Sequence, residues 1–185
     1  MPRIAKFTRP VMADKLTEVF KGFGYEGASL SMLAEAVELS KASLYHHFPG
    51  GKADIAAHVL AHSGAKLQRL VLSPLTGKGA GAERAHASLK GAALYYSGDV
   101  PICLMNSLLL GEGRSLFGAQ IKGAVDAWAK GLAAAATDSG FSRRDGERWA
   151  TEAIERIQGG LILCRVQGSR KPLEACLERL ETELS

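Results

Sequence analysis

Apolar residues recur at helical spacing almost from one end of this chain to the other. Met12, Leu16, Val19, Phe20 and Phe23 follow a 3.6-residue period and predict a first helix. Thr8 is placed to cap its start, and Gly22 and Gly24 predict its end. Leu30, Leu33, Ala34 and Val37 form one face of a short second helix behind Ser29. A shorter third helix is predicted from Lys41 to His47, capped by Ser40. Pro49, Gly50 and Gly51 break the chain, and a fourth helix is predicted from Lys52 to about Val71.

The second half has the same rhythm. Ser73 to Gly81 is rich in proline and glycine and predicts a loop. A helix is expected from Ala82 to Tyr96, then a short apolar segment from Ile102 to Leu110. Phe117, Ile121, Val125, Trp128 and Leu132 mark a long helix ending near Gly140. Ser142 and Asp145 resemble a capping box before a helix with Trp149, Ala153, Ile157, Leu161 and Cys164 on one stripe. Gly168 stops it, and Pro172 suits the first turn of a last helix carrying Leu173, Cys176, Leu177, Leu180 and Leu184. Between Leu161 and Val166 the chain is apolar on almost every face, a pattern that fits burial on two sides. β-Branched residues are sparse while Ala and Leu are abundant, so the expected class is all-α.

Composition narrows the function classes. A chain of 185 residues can bury a core without disulfides or a structural metal. Its three cysteines are far apart and do not form a disulfide framework. No apolar run approaches the roughly 18 residues of a membrane span. The first fifteen residues carry Arg3, Lys6, Arg9 and Lys15 with no apolar stretch, so no signal peptide is read and a cytoplasmic protein without a membrane partner is expected. The net charge of +4 permits a nucleic-acid partner without demanding one.

Candidate chemistry is thin outside one segment. There is no nucleophile elbow, phosphate-binding loop or dinucleotide fingerprint, so no catalytic residue and no cofactor is predicted. His58 and His62 are four apart on a helix, with His46, His47 and His86 elsewhere. Without an adjoining Glu or a Cys pair they read as surface or interface histidines rather than metal ligands. Cys103, Cys164 and Cys176 lie in apolar settings and read as packing, with Cys103 the candidate if any senses redox state or electrophiles.

The informative segment is Ser29 to Lys52. Two short helices meet at a tight turn near Glu38 to Ser40, the pattern of a helix-turn-helix whose second helix enters the DNA major groove. At about 100° per residue, an inward Leu44 turns Ala42 and His46 outward, flanked by Ser43 and Tyr45, with Lys41 at the edge. Ser and His can bond base edges, Ala can meet a thymine methyl, and Tyr and Lys can hold phosphates.

The string A-S-L-S-M-L-A-E-A-V-E-L-S-K-A-S-L-Y-H-H-F at 28–48, followed by P-G-G-K at 49–52, resembles the DNA-binding region of the TetR family of bacterial repressors. It leans toward the LmrA/YxaF-like branch, as does G-G-L-I-L-C-R-V at 159–166. The sequence departs from the family pattern in three places. Glu38 stands where Gly is usual in the turn, Met32 where a polar residue is common, and Ala42 where Gly is frequent.

The resemblance implies an N-terminal three-helix DNA-binding domain, residues 1–51, and a larger helical ligand-binding and dimerisation domain, residues 52–185. It implies a homodimer that binds a double-stranded palindromic operator and is released by a small-molecule effector. Carried over by position, Ser29, Lys41, Ala42, Ser43, Tyr45, His46 and Lys52 would contact DNA, with Arg3, Lys6 and Arg9 as a basic arm. Tyr95, Leu104, Leu108, Phe117, Ile121, Trp128 and Gln158 would line the ligand pocket, with Asn106 and Arg114 as further polar anchors. Ile157, Leu161, Cys164, Leu173, Cys176, Leu177 and Leu180 would form the dimer interface. The alternative is a small-molecule-binding helical module without specific operator recognition.

Overall fold

The structure is a computed structural model that describes residues 7–184. In chain order its helices are α1 (Arg9–Gly27), α2 (Leu30–Ala36), α3 (Lys41–His47), α4 (Gly51–Leu67), α5 (Ser73–Leu75), α6 (Gly81–Tyr95), α7 (Leu104–Leu108), α8 (Gly113–Asp138), α9 (Arg143–Gln167) and α10 (Lys171–Thr182). A π-helical turn, Gln68–Leu72, joins α4 to α5 without a break. Every regular element among the described residues is helical, as the periodicity predicts. None of these helices is long and apolar enough to cross a membrane.

Local chemistry explains where the helices begin and end. Ser29 Oγ accepts the Met32 N–H at 3.2 Å, Ser40 Oγ that of Ser43 at 3.1 Å, and Ser142 Oγ that of Asp145 at 3.1 Å. Each satisfies one of the donors that a helix start leaves orphaned. Thr8 occupies the N-cap of α1, but its side chain makes no capping bond. Nor does α1 end at Gly22–Gly24. It breaks at Gly24, where φ is +68°, and resumes to Gly27. A Cβ there would lie 3.0 Å from the Ser107 carbonyl, so α7 comes against bare backbone.

Packing divides the chain into two compact units. The first ends at Gly64 and adds Leu104–Ile121; the second joins Ala65–Cys103 to the chain from Lys122 onward. This division falls within α4. The first unit closes around Leu16, Phe20, Leu33, Leu44, Ile55 and Leu108, all essentially inaccessible. Ser107 Oγ donates to the Lys21 carbonyl at 3.0 Å and fastens α7 to α1.

In the second unit, α9 packs on α10, and Ile157, Leu161 and Cys164 of the one and Leu173, Leu177 and Leu180 of the other are buried. Arg170 donates to the carbonyls of Ala93, Tyr96 and Gly98 at 2.5, 2.7 and 3.2 Å, closing the C-terminus of α6. Sequence periodicity does not foresee the π-helical turn. Its carbonyls are taken up by α6: the buried Ser88 hydroxyl donates to Val71 O at 2.8 Å. A Cβ on Gly91 would stand 1.7 Å from Leu70 O. That distance is impossible, so α6 can approach the turn only through glycine. Gly91→Ala is expected to cost about 3 kcal/mol of stability by overpacking. Ser88→Ala should cost roughly 0.5–1.5 kcal/mol by removing the buried bond to the Val71 carbonyl. Thermal unfolding checks both, and a melting temperature unchanged in either variant would contradict this role for the contact.

Candidate nucleic-acid interface

The orientation of α3 is fixed by how α2 ends. The Leu39 N–H donates to Ala34 O and the Glu38 N–H to Glu35 O, both at 3.0 Å. This pair of bonds is a Schellman closure, and it places Glu38 in the left-handed region at φ +54°. Glu38 is the single non-glycine residue there among the described residues. A side chain in that conformation costs about 1 kcal/mol relative to glycine.

Leu44 and Phe48 anchor α3 inward at 1% and 7% exposure. Lys41, Ala42, Ser43, Tyr45 and His46 are all exposed, while His47 is half-buried. The structure thus gathers the five predicted residues of α3 on one open surface. Tyr45 leans on the start of α4, where a Cβ on Gly51 would lie 3.5 Å from its ring. Ser29 is exposed, with its hydroxyl engaged as the α2 cap. Lys52 is half-buried in the first turn of α4. Its ammonium sits 4.5 Å from the Tyr25 ring centroid and donates to the Glu26 carbonyl at 3.4 Å. Arg9 begins α1, whereas Arg3 and Lys6 lie outside the described residues.

Residues 14–59 match the model for bacterial regulatory proteins of the TetR family. Residues 84–179, more than half the chain, match the model for the C-terminal domain of LmrA/YxaF-like transcriptional regulators. The chain belongs to the TetR family. It is 21% identical over 177 residues to the uncharacterised helix-turn-helix regulator YxaF of Bacillus subtilis, covering 94% of this chain and 93% of YxaF. A cysteine-substituted CifR, solved with 26-base-pair operator DNA, aligns with a TM-score of 0.76 at 25% identity over 98% of both chains. A TetR regulator from Legionella pneumophila aligns at 0.74 and 20% identity, over 92% of this chain and 96% of its own. These relatives are transcriptional regulators, not enzymes, and this TetR-family chain is one as well.

The other two predicted groups of this TetR-family protein fare differently. Leu104, Leu108, Phe117 and Ile121 are buried in the first unit, whereas Tyr95, Trp128 and Gln158 belong to the second. Gln158 is already engaged, donating to the buried Tyr96 hydroxyl at 3.2 Å. Asn106 and Arg114 are exposed. A cleft of about 530 Å³ between α8 and α9 is lined by Ala129, Lys130, Ala133, Thr137, Arg143 and Glu147, none of them foreseen.

The residues expected at a dimer interface are largely enclosed within the single chain. Ile157, Leu161, Cys164, Leu173, Leu177 and Leu180 are buried within a single chain, where α10 packs against both α9 and α6. Only Cys176 of the seven is partly accessible. The outward apolar residues are instead Ile162, Leu163 and Val166, at 50%, 49% and 75% exposure. Their signal in the sequence is the apolar run from Leu161 to Val166.

Among the described residues no three His, Cys, Asp or Glu side chains converge as a metal would require. His62 Nε2 meets Asp14 Oδ1 at 3.0 Å, while the His58 ring packs 5.4 Å from that of Phe48. Cys103 and Cys164 are buried, and burial pushes the Cys176 thiol up against the opposing pull of Arg156 and Arg179.

Burial, then the positive charges of Arg9 and His62, lowers the pKa of His58, with Asp54 opposing. As pH falls through 6.5, the unfolded chain takes up a proton that the folded chain resists. Stability from this group is therefore complete above that pH and declines below it. The carboxyl groups of Asp145 and Glu183, both held low by hydrogen bonds, act only in the more acid range. His58→Gln is expected to flatten the fall in unfolding free energy between about pH 7 and about pH 5. Denaturant titrations across that range check it, and an unchanged slope would contradict it.

Proposed function

We propose that this TetR-family regulator is a ligand-responsive repressor that binds a palindromic operator as a homodimer and is released by a small molecule. The reading rests on the open face of α3, where Lys41, Ala42, Ser43, Tyr45 and His46 are presented by a rigid two-helix turn. That face supplies donors and a methyl group for base edges, with Tyr45, Lys52 and Ser29 for phosphates. Residues 1–51 would bind DNA and residues 52–185 would bind ligand and partner. The CifR complex with operator DNA supports the DNA partner. The place of action is the cytoplasm, where a bacterial operator is found.

A palindrome demands two recognition helices at a fixed spacing. Ile162, Leu163 and Val166 support a second copy of the chain as the occupant of the outer face of α9, beside a cleft of about 270 Å³ that includes Pro172 and Cys176. The release mechanism is a population shift in which DNA favours one separation of the two α3 helices and ligand another. The continuous helical stretch from Gly51 to Leu75 is the lever.

Tyr45→Ala and Lys52→Ala are each expected to weaken binding roughly tenfold to a duplex enriched from random DNA by the protein, with folding intact. Fluorescence anisotropy checks this, and unchanged affinity in both would overturn the assignments. Leu163→Glu combined with Val166→Glu is expected to give a folded monomer in sedimentation analysis, because the charges would be buried unpaired on association. A variant that remained dimeric would move the interface elsewhere.

A further inference from the structure

Lys52 is a predicted DNA ligand whose charged group is held by neighbours, and those neighbours lead away from the DNA-binding face. Its ammonium lies over the Tyr25 ring at 4.5 Å and donates to Glu26 O at 3.4 Å. Tyr25 is itself fixed: it is 5% exposed, stacks on Phe20 at 6.5 Å and meets the edge of Phe117 at 5.6 Å. Phe117 stands in the second turn of α8, just beyond the bend at Gly111–Gly113.

Glu26 is seated on that same bend. Its Oε1 accepts the Glu112 N–H at 2.9 Å, and a Cβ on Gly111, where φ is +57°, would lie 2.8 Å from that oxygen. Residues 25 and 26 therefore touch Lys52 on one side and the start of α8 on the other. α8 runs unbroken to Asp138, and beyond Ile121 it belongs to the second unit.

We propose that Tyr25 and Glu26 are positioning residues that set the Lys52 ammonium for a DNA phosphate according to where the first turn of α8 sits. The proposal rests on the reading of Lys52 as a phosphate ligand and deepens it. An ammonium has three donors. The Glu26 carbonyl takes one and the Tyr25 ring face is met by another, which leaves one for a phosphate. A long side chain ordered before binding loses less freedom on binding. Displacing the first turn of α8 shifts Phe117 and the Glu26 carboxylate together, and releases Lys52 from its preset position. α8 is thereby a second covalent route, beside α4, from the second unit to the DNA-binding face.

The test is a double-mutant cycle on the full-length protein, with the duplex enriched from random DNA as the probe. Lys52→Ala is expected to weaken binding roughly tenfold and to lower the salt slope by about one per subunit. Glu26 is exposed, so Glu26→Ala should leave folding intact. It is expected to weaken binding about threefold with Lys52 present and not at all with Lys52→Ala. Tyr25→Leu should behave likewise, while Tyr25→Phe, which keeps the ring face, should bind as the parent does. Hydrogen exchange at the Glu112 amide should quicken in Glu26→Ala, and an unchanged rate would remove the link between Glu26 and α8.

If the losses add in full to that of Lys52→Ala, Tyr25 and Glu26 act on the fold alone and this proposal falls, while the phosphate assignment stands. If Lys52→Ala itself leaves affinity and salt slope unchanged, both fall. Glu26→Ala decides the matter should Tyr25→Leu fail to fold.

Discussion

The closure of α2 is the constraint on which the open face of α3 depends. Two backbone bonds, from Leu39 to Ala34 and from Glu38 to Glu35, turn the chain through a left-handed residue and aim α3. Leu44 and Phe48 can then point inward only if the other side of α3 points out. The five residues exposed on α3 follow from that geometry rather than from their own preferences. A glutamate holds the position that glycine suits best, and the cost of about 1 kcal/mol is small beside the burial of Leu33, Leu44 and Phe48, each worth roughly 1.5–3 kcal/mol.

The parts of the fold that can be read from the sequence are those with local signals. Ser29, Ser40 and Ser142 cap helices where a short polar side chain precedes an apolar period. The outward face of α3 follows from helical geometry once Leu44 is placed. The parts that stay hidden depend on contacts between distant segments. The kink of α1 at Gly24 lies against the Ser107 carbonyl, and the π-helical turn packs its carbonyls against Ser88 and Gly91.

The two apolar stripes of α9 and α10 show the same limit from the other side. Periodicity identifies Ile157, Leu161 and Cys164 as one apolar face and Leu173, Leu177 and Leu180 as another. It does not say that both are enclosed within the single chain. The excess of apolar residues between Leu161 and Val166 holds the missing information, since one helix face satisfies the intramolecular core and Ile162, Leu163 and Val166 are left over. The predicted pocket residues are ordinary core residues by type, and the structure distributes them between two units.

If α3 reads DNA from a dimer, selection of binding sites from random duplex DNA at moderate salt should enrich one inverted repeat. Its half-sites should be spaced by about one helical turn or a multiple of it. Retention that is steeply salt-dependent and enriches no sequence would contradict this, and would leave a helical module that binds DNA only through charge.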